Sequence, residues 1–302
     1  MKTMLLIVNP CSGQKKAKKH LADILDIFNR AGFAVFTHIT AGHADAEAAV
    51  LRYADQIDRV VCCGGDGTFN ETVSGVLKSG RDLPIGYIPA GSTNDFATSL
   101  GLHSDLLQAA QDIVDGTPVR LDVGCLGDRY FSYVASFGIF TRTTYTTPQS
   151  AKNAIGHAAY ILSGIQELSQ IRAYPVQMTL SDGSVLEEEY IFGAISNTTS
   201  LGGVLTLDSD KVNMSDGLFE VLLIRKPKDL FELSDCVRAL QQKTYQCQML
   251  TFASAREVAI SAPEDMAWTL DGEAGGCHPH TLVRCLHQAI QVYQNRKEKH
   301  LP

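Results

Sequence analysis

The sequence lacks the features that mark several large protein classes. Its 302 residues contain no uninterrupted apolar run of about 18 or more, the length that crosses a bilayer. Lysine and arginine number 26 against 33 acidic residues, and the formal net charge of −7 argues against nucleic acid as a partner. The apolar run at residues 4–8 is too short for the core of a signal peptide, so a cytoplasmic protein is expected.

Cysteines are present, but not at the spacings that disulfide frameworks or metal sites use. None of the eight forms a C-x-x-C pair, and Cys62 and Cys63 are adjacent within an apolar run. Reduced and mostly buried thiols are therefore predicted. Cys277, His278 and His280 are the one cluster that suggests a zinc site, but a closed site needs a fourth ligand that this segment lacks.

The common nucleotide-binding and catalytic signatures are also missing. The chain contains neither the G-x-x-x-x-G-K-[ST] loop of P-loop proteins nor the G-x-G-x-x-G dinucleotide fingerprint. It has no protein-kinase catalytic loop and no G-x-S-x-G nucleophile elbow. A nucleotide site in this chain must therefore be built from other loops.

The first 120 residues alternate between short apolar segments and helical patterns, and 45% of the whole chain is hydrophobic. The predicted strands are residues 4–8, 33–39, 59–63 and 85–89, and the predicted helices are 14–30, 43–54, 68–78, 96–100 and 105–114. This alternation predicts an α/β domain with a doubly wound parallel sheet covered by helices on both faces.

After about residue 121 the pattern becomes that of a mostly antiparallel β-sandwich domain. The predicted strands are residues 121–125, 130–135, 176–180, 190–195, 218–224, 257–261, 267–270 and 281–286, with helices at 151–168 and 228–241. We therefore expect one domain at 1–121 and a second at 122–288, with residues 289–302 as a candidate to return to the first. No Pro- or Ser-rich linker separates them, so the active site is expected in a cleft between the two.

A glycine-rich turn, GGDGT at residues 64–68, lies between a predicted strand and a predicted helix. Glycines let the backbone come close to an anion, and the helix N-terminus adds free N–H groups, so the turn favours phosphate binding. Asp66 in its middle would repel phosphate unless a divalent cation lies between them. An ordinary tight turn is the alternative interpretation.

Two further polar loops follow strands at the same predicted edge of the sheet. They are NPCSG at residues 9–13 and AGSTNDF at residues 90–96. In a doubly wound sheet, the loops at the carboxyl ends of the strands form the ligand crevice. Three converging loops rich in Gly, Ser, Thr and Asn therefore predict a nucleotide pocket.

These motifs resemble those of the bacterial diacylglycerol kinase family, whose catalytic domain is shared with eukaryotic diacylglycerol, sphingosine and ceramide kinases. Residues 9–13 are similar to the family's first nucleotide loop, and residues 64–70 to its GGDGT-x-N signature. Residues 91–97 are similar to its GT-x-NDFA segment, with Ser92 in place of the more usual threonine. The resemblance extends over nearly the whole chain.

The resemblance implies which residues bind ATP. They are Asn9, Pro10, Ser12, Gly13, Thr40, Gly64, Gly65, Asp66, Gly67, Thr68, Phe69, Asn70, Ser92, Asn94 and Asp95. It also implies that Asp66 and Asp122 lie near the Mg²⁺ that bridges the phosphates.

The second half carries two more motifs of that family. DGLFEV at residues 216–221 is similar to a strand that holds a structural Mg²⁺, which implies ligands from Asp216 and from the carbonyls of Asn213 and Leu218. LDGE at residues 270–273 is similar to the family's DGE motif, which implies that Glu273 is the catalytic base. From the residues alone, Asp-Gly at this point is a turn between strands.

The resemblance implies an ATP- and Mg²⁺-dependent lipid kinase that phosphorylates a hydroxyl of a membrane lipid, above all diacylglycerol, to give phosphatidic acid. The enzyme would be cytoplasmic and would contact the inner face of the membrane peripherally; a homodimer is left open. Four lysines at residues 15, 16, 18 and 19 form either a solvated helix face or a contact with phosphates or an anionic bilayer.

Two alternatives belong to other functional classes. NAD kinases share the GGDGT motif and the parallel domain, but the NPxSG loop, the NDFA segment and the DGE motif favour a lipid substrate. A regulator that binds nucleotide or lipid without turnover would have lost its metal or base residues. Asp66, Asp122 and Glu273 are all present, which argues against it.

Overall fold

The structure, a computed structural model, describes residues 2–13, 16–139, 171–201, 205–242, 244–245 and 247–295. These residues divide into two compact units. Unit 1 takes the described residues of Met1–Asp122 and Gln288–Pro302, and unit 2 takes those of Val123–His287. The chain therefore leaves unit 1 after Asp122 and returns to it at Gln288.

Unit 1 is built on a parallel sheet. Its strands are β1 (Lys2–Val8), β2 (Phe33–Ile39), β3 (Arg59–Gly64) and β4 (Ile85–Pro89). In the sheet β1 lies between β2 and β3, and β4 follows β3, with every pair parallel. Strand β17 (His280–Gln294) adds a parallel pair at the outer side of β4, between Val292 and Ile85.

Six helices cover this sheet, and the parallel-sheet prediction is confirmed. They are α1 (Lys16–Lys19), α2 (Leu21–Arg30), α3 (Asp45–Tyr53), α4 (Asp66–Ser79), α5 (Asp95–Leu100) and α6 (Leu106–Asp115). Met4 and Leu6 pack with Phe28 of α2 and Ile113 of α6 in one core cluster. Their neighbour Leu5 points to the opposite face of the sheet and is equally buried, so both faces are covered.

The single helix predicted for residues 14–30 is wrong, because the helix is interrupted at His20. The backbone of His20 has φ −101° and ψ 9°, and it separates α1 from α2. Helix α1 has no acidic residue in its first turn, so its lysines oppose the helix dipole without compensation. Lys18 and Lys19 are exposed, and Lys15 lies outside the described residues.

Unit 2 is predominantly antiparallel, as the sequence predicts. Its strands are the end of β5 (Thr117–Leu126), β6 (Arg129–Phe131), β7 (Val134–Gly138), β8 (Tyr174–Leu180), β9 (Val185–Ser196), β10 (Ser200–Leu201), β11 (Leu205–Thr206), β12 (Phe219–Arg225), β13 (Leu250–Ala255), β14 (Glu257–Ser261), β15 (Ala267–Leu270), β16 (Glu273–Cys277) and the start of β17 (His280–Gln294). Helix α7 (Leu230–Gln242) accompanies them.

Strand β9 organises this unit. It pairs antiparallel with β7, β8 and β12, and β12 pairs in turn with β13. The aromatic core lies on one face of these strands, where the ring of Phe137 meets Trp268 edge-on at 5.2 Å and Phe131 stacks on Phe219 at 5.5 Å. The unit's rigidity therefore depends on strand pairing and aromatic packing together.

The strand predicted at residues 130–135 is divided in the structure. β6 ends at Phe131 and β7 begins at Val134, and the two strands pair with different partners. The three N–H groups from Ser132 to Val134 donate to the side chain of Asp271 instead of to a neighbouring strand. The helix predicted at 151–168 lies outside the described residues, and none of the described helices has the length and hydropathy to cross a membrane.

Candidate functional site

The first of the three polar loops is tied to the second by Asn9. The Asn9 backbone N–H donates to the carbonyl of Cys63 at 2.9 Å, and its side-chain amide donates to Thr68 Oγ1 at 2.9 Å. Its Oδ1 accepts the N–H of Cys11 at 2.9 Å and so fixes the turn. Asn9 therefore shapes the loop around the start of α4.

The second and third loops approach each other backbone to backbone. A Cβ on Gly91 would lie 2.6 Å from the Cα of Gly65, a distance that no side chain tolerates. Gly13, at φ +51°, closes the first loop onto the third, since a Cβ there would lie 2.5 Å from the carbonyl oxygen of Ala90. The structure thus brings the three loops together at one edge of the sheet, as their positions in the sequence predict.

Asp66 is half-buried at the first position of α4 and binds the start of α5. Its Oδ2 accepts the N–H of Asp95 at 3.1 Å, and its Oδ1 accepts the N–H of Phe96 at 3.3 Å. Burial, and after it the charge of Asp95, raises the pKa of Asp66 to about 6, against the lowering effect of these N–H groups. Two neighbouring carboxylates in such a place favour a bound cation.

The other residues of the third loop hold its shape. Asn94 has φ +54°, and its Oδ1 accepts the N–H of Gly91 at 2.9 Å while its Nδ2 donates to the Gly91 carbonyl at 3.1 Å. Ser92 is exposed at the tip. At the same edge the N–H of Thr40 donates to the carbonyl of Val8 at 2.9 Å, while Ser12 is buried.

The side chain of Phe69 belongs to the core of unit 1. Its ring is fully buried and stacks between Tyr87 and Phe96, with both centroid distances at 4.5 Å. The side chain packs α4 against β4 and α5, and this packing stabilises the elements that carry the second and third loops.

Asp122 is buried at the end of unit 1's first segment. It is 0% exposed, and its Oδ1 accepts the N–H of Gln288 at 2.6 Å. Gln288 has φ +49°, a left-handed conformation that few non-glycine residues adopt. This bond supports a role for Asp122 in holding β17 within unit 1, and the expected place of Asp122 near the metal stays a prediction.

In unit 2 the residue before the DGE glycine is a structural anchor. Asp271 is 5% exposed at φ +50°. Its Oδ2 accepts the N–H of Ser132 at 2.6 Å, and its Oδ1 accepts those of Tyr133 and Val134, both at 3.0 Å. The sequence predicts a turn at Asp271. It does not predict these hydrogen bonds, because the donors lie about 138 positions earlier in the chain.

Asp271→Ala is expected to destabilise unit 2 by about 3 kcal/mol or more, since three buried N–H groups lose a charged acceptor. The matched control is Asp182→Ala, because Asp182 accepts the N–H and the hydroxyl of Ser184 in an exposed turn. Urea denaturation should show a much lower midpoint for Asp271→Ala than for the control. Equal midpoints would contradict the anchoring role.

Glu273 lies two residues after Asp271. It is exposed, is the first residue of β16, and pairs with Leu270 across the β15–β16 turn. Gly272 between them has φ +80°, which lets the chain reverse immediately after the anchored Asp271. The turn therefore presents a carboxylate on a rigid support, a suitable arrangement for a general base.

The loop at residues 213–218 is also organised by short-range bonds. Asp216 Oδ1 accepts the N–H of Leu218 at 3.0 Å, and Asn213 Oδ1 accepts the N–H of Ser215 at 3.1 Å. Gly217 has φ +81°. Asp216 is exposed, so its carboxylate reaches solvent while its loop is held in a defined shape.

Within the described ranges, no three side chains of His, Cys, Asp or Glu lie together as a metal-binding group. In the segment considered for zinc, His278 Nε2 bonds the carbonyl oxygen of Gly275 at 3.0 Å, and Cys277 is exposed. Any cation at residues 213–218 would therefore take several ligands from backbone carbonyls and water.

Two family models match this chain. Residues 3–126 match the diacylglycerol kinase catalytic domain. Residues 134–294 match the YegS C-terminal NAD kinase beta sandwich-like domain. Together they cover both units.

Curated relatives of this chain include full-length diacylglycerol kinases. A diacylglycerol kinase of Bacillus subtilis (strain 168) is 33% identical over 99% of this chain and 98% of its own. A diacylglycerol kinase of Staphylococcus carnosus (strain TM300) is 31% identical over 97% of this chain and 95% of its own.

Solved structures agree on the fold. A provisionally named diacylglycerol kinase from Bacillus anthracis str. Sterne superposes with a TM-score of 0.82 at 23% identity, over 98% of this chain and 96% of its own. A yeast NADH kinase reaches 0.51 at 9% identity, over 98% of this chain and 84% of its own. From the family models and the full-length relatives, the chain belongs to the diacylglycerol kinase family and is a lipid kinase.

Proposed function

We propose that the protein transfers the γ-phosphate of ATP, with Mg²⁺, to the free hydroxyl of diacylglycerol and so produces phosphatidic acid. The observation that carries the proposal is the meeting of three loops in unit 1, where the backbones of Gly65 and Gly91 lie in contact beside Asp66. The names of the full-length relatives support diacylglycerol as the acceptor.

The start of α4 is the proposed phosphate-binding element. Its N-cap is Gly65, which has no side chain to bind the N–H groups of the first turn. Those groups, together with the positive end of the helix dipole, suit an anion. The absence of a Cβ at Gly65 and Gly91 lets the two loops pack against each other beside this helix start.

The carboxylates of Asp66 and Asp95 are the proposed cation partners at this place. Burial and mutual repulsion raise the pKa of Asp66, and a divalent cation would relieve that repulsion. When bound with ATP, Mg²⁺ would supply positive charge against the phosphate oxygens. We propose Asp66 and Asp95 as the two acids beside the cation. The resemblance implies Asp66 and Asp122, but Asp122 is buried against Gln288.

Glu273 is the proposed general base. Its carboxylate would accept the proton of the lipid hydroxyl as the oxygen attacks the γ-phosphorus, and the bond to the bridging oxygen of ADP breaks. The role of the protein in such a transfer is positioning and charge stabilisation. The anchoring of Asp271 supports the proposal, since it fixes the turn on which Glu273 lies.

We further propose a structural Mg²⁺ at Asp216 and the carbonyls of Asn213 and Leu218. The donor set fits a hard cation, since it combines one carboxylate with backbone oxygens. Two positions after Leu218 lies the buried Glu220, whose Oε2 has no hydrogen-bond partner among the described residues, and such an orphaned oxygen supports the fit. Burial, and after it the charge of Asp216, raises the pKa of Glu220 to about 8.

Chelation provides the test of the structural cation. EDTA should lower the melting temperature of the wild type but leave that of Asp216→Ala unchanged, because ligand binding to the native state stabilises it by mass action. The measurement is differential scanning fluorimetry without nucleotide. The proposed cation would be contradicted if EDTA left the melting temperature of the wild type unchanged, or if it lowered that of Asp216→Ala by the same amount.

The identity of the phosphate acceptor is tested with a panel of candidate substrates. Labelled ATP should phosphorylate diacylglycerol in mixed micelles in preference to phosphatidylglycerol, sphingosine, ceramide, undecaprenol and NAD. The likeness to a yeast NADH kinase is one of fold alone, and it makes NAD a necessary member of the panel. Transfer to NAD in place of the lipids would overturn the proposed substrate. Because diacylglycerol is a membrane lipid, the proposal includes peripheral contact with the bilayer.

A further inference from the structure

A fourth loop lies at the carboxyl edge of the parallel sheet in unit 1. It covers residues 40–44, between the end of β2 and the start of α3. Because β2 pairs with β1, this loop is next to the first of the three polar loops, and the N–H of Thr40 donates to the carbonyl of Val8 at 2.9 Å. Residues 41–44 are exposed, so the fourth loop depends on a few hydrogen bonds for its shape.

Glu71 of α4 binds the far end of the fourth loop. Its Oε1 accepts the N–H of Ala44 at 2.7 Å, and its Oε2 accepts the N–H of Ala46 at 3.1 Å. Ala44 is the N-cap of α3, but its side chain has no oxygen to cap a helix, so Glu71 supplies the acceptor from the neighbouring helix. Ala44 also has φ +61°, a left-handed conformation that a non-glycine residue keeps only where its surroundings hold it.

Asp45 holds the near end of the fourth loop. Its Oδ2 accepts the N–H of Ala41 at 2.7 Å and bonds His38 Nε2 at 3.1 Å. The hydrogen bond from Ala41, and after it the bond to His38, lowers the pKa of Asp45, so this carboxylate is charged at neutral pH. The fourth loop is thus held between two carboxylates, one from its own helix and one from α4.

The helix that carries Glu71 also begins with the glycine-rich turn. Asp66 is the first residue of α4 and Glu71 lies in its second turn, so one helix carries both the proposed phosphate-binding element and the support of the fourth loop. Helices α3 and α4 are in close contact, because a Cβ on Gly75 would lie 2.7 Å from the Cβ of Val50. The position of the fourth loop is therefore fixed relative to the start of α4.

The order of the strands indicates which part of a nucleotide the fourth loop can meet. The proposed cation partners Asp66 and Asp95 follow β3 and β4, while the fourth loop follows β2, with β1 between β2 and β3. Adjacent strands are about 4.8 Å apart, so the loop lies roughly 10 Å along the sheet edge from the start of α4. A nucleotide whose phosphates lie at the start of α4 is long enough to reach the fourth loop with its nucleoside.

We propose that Glu71 is a positioning residue for the nucleotide, which holds the fourth loop, and Thr40 with it, where this loop contacts the nucleoside part of ATP. Glu71 acts through the N–H groups of Ala44 and Ala46 and does not touch the reacting atoms. The inference rests on the proposed use of ATP. It adds that α4 serves both ends of the nucleotide, the phosphates through its N-terminus and the nucleoside through Glu71.

The test measures binding of Mg·ATP to the nucleotide-free, full-length protein by calorimetry without lipid, so that the result does not depend on the acceptor. Glu71→Gln keeps the size of the side chain but offers one acceptor oxygen in place of two. It should weaken ATP binding by about 10-fold or more, the loss expected when a backbone N–H loses a charged acceptor. In the kinase assay the apparent KM for ATP should rise by a similar factor, while kcat stays near its wild-type value.

Tripolyphosphate separates the two ends of the nucleotide, because it has the phosphates of ATP but no nucleoside. Its inhibition constant should be nearly the same in Glu71→Gln and in the wild type. Glu47→Gln is the matched control and should leave ATP binding unchanged, since Glu47 links α3 and α4 through an ion pair with Lys78 at 2.7 Å but lies outside the fourth loop. Asp45→Ala, which releases the near end of the loop, should give the same selective loss as Glu71→Gln.

The outcomes separate this inference from the one on which it rests. Wild-type ATP affinity in Glu71→Gln would overturn it, and so would an equal loss of affinity for ATP and for tripolyphosphate. A lower melting temperature of Glu71→Gln with an unchanged KM for ATP would assign Glu71 to stability alone. If Mg·ATP does not bind to the wild type, the proposed use of ATP fails as well.

Discussion

Replacing Glu273 with glutamine is expected to lower turnover on diacylglycerol by about 100-fold or more, within the range of a lost general base. Glutamine keeps the shape of the side chain but does not accept the proton of the attacking hydroxyl. Because Glu273 is exposed on a turn held by Asp271, the melting temperature and the apparent KM for ATP should stay near their wild-type values.

Glu264→Gln is the control, since it removes the same charge from an exposed site of unit 2. It should leave turnover unchanged. Near wild-type turnover in Glu273→Gln would remove Glu273 as the base, and a parallel fall in stability would point to a structural role for it.

Asp66→Asn is expected to lower turnover by about 10²–10³-fold or more, comparable to the loss of a group that stabilises developing charge. It should also weaken the binding of Mg·ATP. The asparagine still accepts one of the two N–H groups that Asp66 holds at the start of α5, so the loop should keep most of its structure.

Asp105→Asn separates this effect from helix capping. Asp105 is the N-cap of α6 and accepts the N–H groups of Leu107 and Gln108, at 3.0 Å and 2.9 Å. If Asp66 is no more than a cap, the two variants will lose little stability and no activity. If Asp66 also binds the cation, turnover and the Mg²⁺ dependence of ATP binding will fall in Asp66→Asn and not in Asp105→Asn.

The parts of the site that follow one another along a strand and its turn could be predicted from the sequence. Residues 64–68 lie between β3 and α4, and residues 90–96 between β4 and α5, as the alternation of patterns indicates. Since carboxyl ends of parallel strands share an edge, the meeting of Gly65 and Gly91 followed from topology.

The contacts between distant segments could not be read in this way. Asp122 binds Gln288, 166 positions away, and Asp271 binds Ser132, 139 positions away. Periodicity indicates which face of a strand is buried, but it does not indicate which far segment provides a partner. The sequence therefore does not indicate that Asp122 binds Gln288, and its place near the metal stays a prediction.

Buried polar residues pose a related difficulty. Glu220 lies in an apolar strand whose pattern predicts burial, but the pattern gives no account of a carboxyl there. The resemblance implies that Phe69 binds ATP, but it gives no sign that the ring packs between Tyr87 and Phe96. Only three-dimensional contacts separate a residue that binds from one that supports.

The most direct measurement follows the label from ATP into lipid. The purified protein is incubated with diacylglycerol in mixed micelles and Mg²⁺, with ATP labelled in the γ-position or the α-position, and the lipid is extracted. The account predicts labelled phosphatidic acid from the γ-label alone, its loss in EDTA, and a corresponding loss in Asp66→Asn and Glu273→Gln. Absence of label in the wild-type lipid fraction, or undiminished label in both variants, would contradict the account.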